Sequence, residues 1–135
     1  MDELQPGHRA WARVAVIATA VVIAAHGLVH LMGVSLLWKL GEPGQLRYAD
    51  AVPAPGTVAA EVVGGLWLLA AVLFVTAAIL LATGRPWRLV ALAGVAVSAP
   101  VIGLASGQAV AGLVADGLIL ALVTVSWLRA RAAPS

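Results

Sequence analysis

The residues best suited to chemistry in this 135-residue sequence are two histidines and two carboxylates in apolar surroundings: His26, His30, Glu61 and Asp116. His26 and His30 stand one helical turn apart in Ala24-Ala25-His26-Gly27-Leu28-Val29-His30-Leu31-Met32-Gly33, so both imidazoles fall on one face of a helix. That spacing makes half of a zinc site of the His-Glu-x-x-His kind, but Gly27 occupies the place of the catalytic glutamate. Carboxylates from other helices could complete the ligand set, which keeps a divalent metal open as one option. Haem held between the pair is disfavoured, because ligands one turn apart on a helix cannot take opposite axial positions. A single-histidine haem site, or one shared between two copies, stays open. The sequence has no cysteine, which excludes thiolate metal sites and dithiol redox chemistry, including that of quinone-linked disulfide-forming enzymes.

The surroundings define the class. With 62% hydrophobic residues, 10% charged residues and a mean hydropathy of +1.03, the composition is that of a polytopic membrane protein. Its eight Lys and Arg include no basic run dense enough for a nucleic-acid surface. Four apolar segments predict helices over about 11–38, 58–82, 87–104 and 109–128, in a single membrane domain covering 1–135. Arg9 and Arg13 ahead of the first segment imitate a secretory signal, but a signal core is roughly 7–15 residues and this run is about 25. The segment is therefore expected to be a retained helix.

Residues 1–8 carry no periodic pattern and are expected to form a loose tail. Residues 39–57 form the only substantial loop, with Gly41, Pro43, Gly44, Pro53, Pro55 and Gly56 as turn formers. In the tight connection over 83–88, Gly84 is a helix stop and Pro86 suits the first turn of the next helix. The second and third helices must then be antiparallel neighbours. Gly94 and Ser98 form a small-xxx-small pair on the third helix, and Pro100 is expected to bend its last turn.

Basic residues accumulate on the cytoplasmic side of short loops. Arg9, Arg13, Arg85, Arg88, Arg129 and Arg131 fall on one side, and Lys39 and Arg47 on the other. The expected fold is all-α: an up-and-down four-transmembrane-helix bundle, multi-pass in the cell (inner) membrane, with both termini cytoplasmic and the long loop 39–57 outside.

In such a bundle the first and fourth helices are neighbours. At about 1.5 Å per residue, His30 and Asp116 each lie roughly 12 Å below the outer surface, His26 about one turn deeper, and Glu61 only about 5 Å down. A His30–Asp116 hydrogen bond or ion pair is therefore expected. The larger expectation is an outward-facing pocket of Glu61, His30, Asp116 and His26, with Ser98 and Gln108 in reach. Such a pocket could relay protons, hold a metal, or bind the head group of a lipophilic ligand such as a quinone. The competing reading is structural, since polar side chains between membrane helices often only bond across them, at about 1 kcal/mol each. On that reading Trp67 and Phe74 are packing, and Gly64 and Gly65 permit close helix contact. There is no self-contained catalytic motif, and no inverted repeat or arginine ladder favours a transporter or channel.

Two stretches carry a family resemblance. His26-Gly27-Leu28-Val29-His30-Leu31-Met32-Gly33 resembles the His-Gly-Leu-x-Lys-Leu-x-Gly ending of the first helix in DoxX-like membrane proteins, and Glu61-Val62-Val63-Gly64-Gly65-Leu66-Trp67-Leu68-Leu69 is similar to that family's Glu-x-x-x-Gly-Leu-x-Leu-Leu opening. The likeness covers about 16–127. It implies a small four-helix membrane protein associated with respiratory or redox complexes, in some branches as the membrane subunit of a thiosulfate:quinone oxidoreductase. A redox enzyme or another membrane subunit would then be a partner beside the lipid bilayer, and an oligomer is compatible. This sequence departs from the pattern in having His30 where lysine is usual, which replaces a permanent cation with a group titratable near neutral pH.

Overall fold

Apolar runs broken only by short turn-forming stretches fold into four α-helices: α1, Pro6–Leu37; α2, Val58–Ala82; α3, Arg88–Leu104; and α4, Val110–Ala132. This computed structural model describes residues 6–41, 51–104 and 110–132, and among the described residues there is no strand. Consecutive helices run antiparallel and pack in sequence, α1 on α2, α2 on α3 and α3 on α4, whereas α1 and α4 approach closely at only a few positions. The bundle is therefore firmly packed on three sides and thin along the α1–α4 seam.

The ends of the helices follow from local chemistry. Thr57 caps α2, its hydroxyl oxygen accepting from the Ala60 N–H at 3.2 Å, which satisfies one of the free donors of the first turn. Gly84 at φ +70 stops the same helix, with the Arg85 N–H reaching back to the Leu80 carbonyl at 2.8 Å, the pairing of a Schellman ending. Residues 6–8, expected in a loose tail, instead belong to α1. At the other end α4 runs to Ala132 and takes Arg129 and Arg131 into its last turn, where positive charge opposes the negative end of the helix dipole.

Three of the helices are long and apolar enough to cross a membrane, over Ala10–Leu37, Val58–Ala82 and Val110–Ala132. The apolar α3 is shorter, with 17 residues against 25 in α2, at the lower limit of spanning length. The radial distribution is inverted relative to a water-soluble bundle. Among the described residues the buried polar ones are His30, Ser98 and Asp116, while Val21, Val22, Leu28, Val29 and Met32 of α1 face outward. Side chains on that outer surface need an apolar solvent, and the chain is a small multi-pass membrane protein.

In lipid the helices gain little from hydrophobic burial against one another, so close van der Waals contact must hold them. The inner face of α2 serves this purpose with Ala60, Gly64, Ala70, Ala71, Ala77 and Ala78 around a single large side chain, the fully buried Phe74. Gly27 of α1 lies against that ring's base. A Cβ added at Gly27 would sit 2.9 Å from Phe74 Cβ and 3.1 Å from the Ala71 carbonyl oxygen, so the glycine sets how closely α1 and α2 approach. Of the two glycines expected to permit close contact, Gly64 does so, lying against the Trp38 ring, whereas Gly65 has open space beside it.

Gly27→Ala should therefore lower the unfolding free energy in detergent by about 1–3 kcal/mol, as overpacking does, whereas Gly65→Ala should leave it unchanged or slightly raised. Reversible unfolding in mixed micelles measures both, and equal effects at the two sites would contradict the packing described.

Candidate functional site

The buried polar residues converge where α1, α3 and α4 face the Phe74 side of α2. His26 Nε2 donates to Asp116 Oδ1 at 2.9 Å. One turn further along α1, His30 Nδ1 donates to the His26 backbone carbonyl at 2.9 Å, and His30 Nε2 lies 2.7 Å from Ser98 Oγ. A carbonyl only accepts, so the neutral His30 ring carries its proton on Nδ1 and its Nε2 is an acceptor. The Ser98 hydroxyl must then donate to it. His30, Ser98 and Asp116 are each at most 2% exposed.

The expected His30–Asp116 pair is corrected: the carboxylate belongs to His26. The expected level pairing of Asp116 with His30 does not hold: the bond to His26 sets Asp116 about one turn nearer the start of α1, and His30 is left to Ser98 of α3. Ser98, expected only within reach, is a direct partner. Glu61 does not join the cluster. It sits exposed in the first turn of α2, about 9 Å along that helix from Trp67, the ring that touches His30. Its backbone carbonyl accepts from Trp38 Nε1 at 3.2 Å, and a carboxylate there is favoured by the helix dipole. Gln108 lies outside the described residues.

Aromatic rings enclose the histidines. The His26 and His30 rings meet edge to face at 4.8 Å between centroids. Phe74 lies 4.9 Å from His26 and 5.5 Å from His30, and Trp67 lies 5.1 Å from His30. Trp67 and Phe74 are packing residues, as expected, but what they pack against is the imidazole pair. Nothing in the sequence linked them to it, because helix faces are fixed only once the crossing of α1 and α2 is known.

The chemistry open to this arrangement is narrower than the residue types suggest. Ser98–His30 and His26–Asp116 are two separate dyads, joined by a backbone carbonyl that accepts a proton's hydrogen bond but does not pass the proton on. The four side chains therefore do not form a continuous proton relay. For a metal, among the described residues no group of three His, Asp or Glu side chains converges, and the Nε2 atoms of both histidines are committed to Asp116 and Ser98. One polar atom is left over: among the described residues Asp116 Oδ2 is buried without a hydrogen-bond partner, a rare state for a carboxylate oxygen.

Compared with protein-family models, curated proteins and solved structures, the chain matches none.

The geometry fixes the proton positions. With 15N-labelled histidine, NMR should report protonated Nε2 in His26 and protonated Nδ1 with unprotonated Nε2 in His30; a His30 ring protonated at Nε2 alone would overturn the assignment. Ser98→Ala leaves His30 Nε2 without a donor, and Asp116→Ala leaves His26 Nε2–H without an acceptor. Each should cost about 1–3 kcal/mol of unfolding free energy, while Asp116→Asn, which keeps an acceptor oxygen, should cost less.

Proposed function

We propose that this membrane protein is an accessory subunit of a membrane redox system, and that it receives the hydroxyl-bearing head group of a lipophilic, quinol-type molecule at Asp116. The observation that carries the reading is Asp116 Oδ2, a buried acceptor with no hydrogen-bond donor among the described residues. Polar groups at such depth are costly and are characteristic of functional sites. A carboxylate already holding His26 on one oxygen has the other free for a ligand O–H.

The route is the α1–α4 seam. These two helices approach at only a few positions, and Gly117, next to Asp116 on α4, has open space beside it. An apolar molecule dissolved in the bilayer can approach sideways there without crossing water. The redox setting draws on the DoxX-like resemblance of the two stretches around His26 and Glu61. In this arrangement His26 Nε2–H orients the Asp116 side chain, while Ser98 and His30 hold the neighbouring turn of α1 in place.

A second reading is favoured by a different observation. Every nitrogen of His30, the Ser98 hydroxyl and Asp116 Oδ1 finds its partner inside the protein, as expected of polar groups that only lock helices together in an assembly subunit. Ligand binding separates the two. Full-length protein in mild detergent should bind a short-chain quinol, and Asp116→Asn should weaken binding about tenfold or more, because an amide N–H replaces the acceptor of a charge-assisted bond. Gly65→Ala should bind as the unaltered protein does. No binding by the unaltered protein, or unchanged affinity in Asp116→Asn, rejects the ligand reading in favour of the structural one.

A further inference from the structure

The end of the bundle where α1 begins and α4 finishes holds a second, chemically different feature. The beginning of α1, the α2–α3 connection and the last turns of α4 enclose an open cleft of ≈ 940 Å³, lined by Arg13, Arg85, Arg88, Ile17, Trp87 and Trp127 among others. Its volume is within the range of about 300–1,000 Å³ typical of small-molecule sites. Three arginines converge on it from two helices and a turn. Among the described residues none of the three has an acidic partner, and the described carboxylates, Glu61 and Asp116, both lie toward the other end of the bundle.

The walls of the cleft decide what kind of anion it suits. Ile17 is 54% exposed and Trp127 37% exposed, whereas Trp87 is buried beneath the cleft. The outer margin of the cleft is thus continuous with the apolar surface that faces the acyl chains, and its charged margin lies at the helix ends. Tryptophan is favoured at this level because its ring is apolar and its N–H is polar. A small soluble anion would match the arginines and leave the apolar wall unused. A molecule with a phosphate at one end and hydrocarbon at the other matches both.

We propose that this cleft is a binding site for an anionic phospholipid of the surrounding leaflet, its phosphate held by Arg13, Arg85 and Arg88 and an acyl chain lying along Ile17 and Trp127. Guanidinium groups pair with phosphate oxygens in a planar, two-pronged geometry. The positive-inside rule places this end of the bundle in the cytoplasmic leaflet, where anionic lipids are recognised by basic pockets between helices. The site is independent of the Asp116 reading, because it lies at the opposite end of α1 and uses none of the same residues.

The test is native mass spectrometry of the full-length protein in mild detergent, titrated with equimolar dioleoyl phosphatidylglycerol and dioleoyl phosphatidylcholine. The expected result is a preference for the anionic lipid on the order of tenfold, abolished in the triple variant Arg13→Gln, Arg85→Gln, Arg88→Gln. It should persist in Arg129→Gln, Arg131→Gln, whose charges lie at the same end but outside the cleft. Equal binding of the two lipids by the unaltered protein overturns the proposal, as does equal loss of preference in both variants, which would indicate a diffuse charge effect. Displacement of the anionic lipid by excess inorganic phosphate would also overturn it, by showing a site for the free anion. The lipid comparison and the phosphate competition use the unaltered protein and stand even if the triple variant fails to fold.

Discussion

The hydrogen bond from His26 to Asp116 is the contact on which the rest of the arrangement depends. It joins the first helix to the last across the seam where the two otherwise scarcely meet, and so supplies polar closure where close packing is sparse. Water is not available in the hydrocarbon to take over either partner. An Asp at that depth must be neutral, be satisfied by the protein, or be satisfied by something the protein receives. Among the described residues it is satisfied on one oxygen only. The same constraint governs His30, whose two nitrogens are both engaged, one along its own helix and one across to α3.

What allows these bonds to form is the absence of a side chain between the histidines. Gly27 brings α1 against the base of Phe74 and the Ala71 carbonyl, and this close approach seats both imidazoles against the Phe74 ring. Read as chemistry, the stretch from His26 to His30 is half a metal motif lacking its glutamate. Read as packing, the residue in the glutamate's place is the one that α2 requires to be small. No larger residue at position 27 would keep this crossing, so the departure from the metal motif and the formation of the dyads have a single cause.

Much of this was legible in the sequence because it is written locally. The extent of α2, the stop at Gly84 and the antiparallel pairing of α2 with α3 depend on residues within a few positions of one another, and there the expectations agree with the structure. The burial of Gly94 and Ser98 on one face of α3 also follows from their spacing. The partner of Asp116 was not legible, because it depends on the relative height of α1 and α4, which no local signal states. A change of one turn, about 5.4 Å, is enough to exchange His30 for His26. Glu61 was misplaced for a related reason: its depth could be counted, but the direction it faces follows from which residues of α2 are small enough to meet α1, namely Ala60 and Gly64.

The two ends of the bundle are built on opposite physical principles. Around Asp116 the described polar groups are few, largely buried and mutually satisfied except at one oxygen, so the local electrostatics are short-ranged and specific. Around Arg13, Arg85 and Arg88 the charges are alike, partly exposed and unpaired among the described residues, so their field acts on whatever the membrane surface presents. Arg13 and His26 are about 20 Å apart along α1, well beyond the roughly 7–10 Å over which substitutions couple strongly when no partner is shared. The rigid body between them is the small-residue face of α2 closed on Phe74.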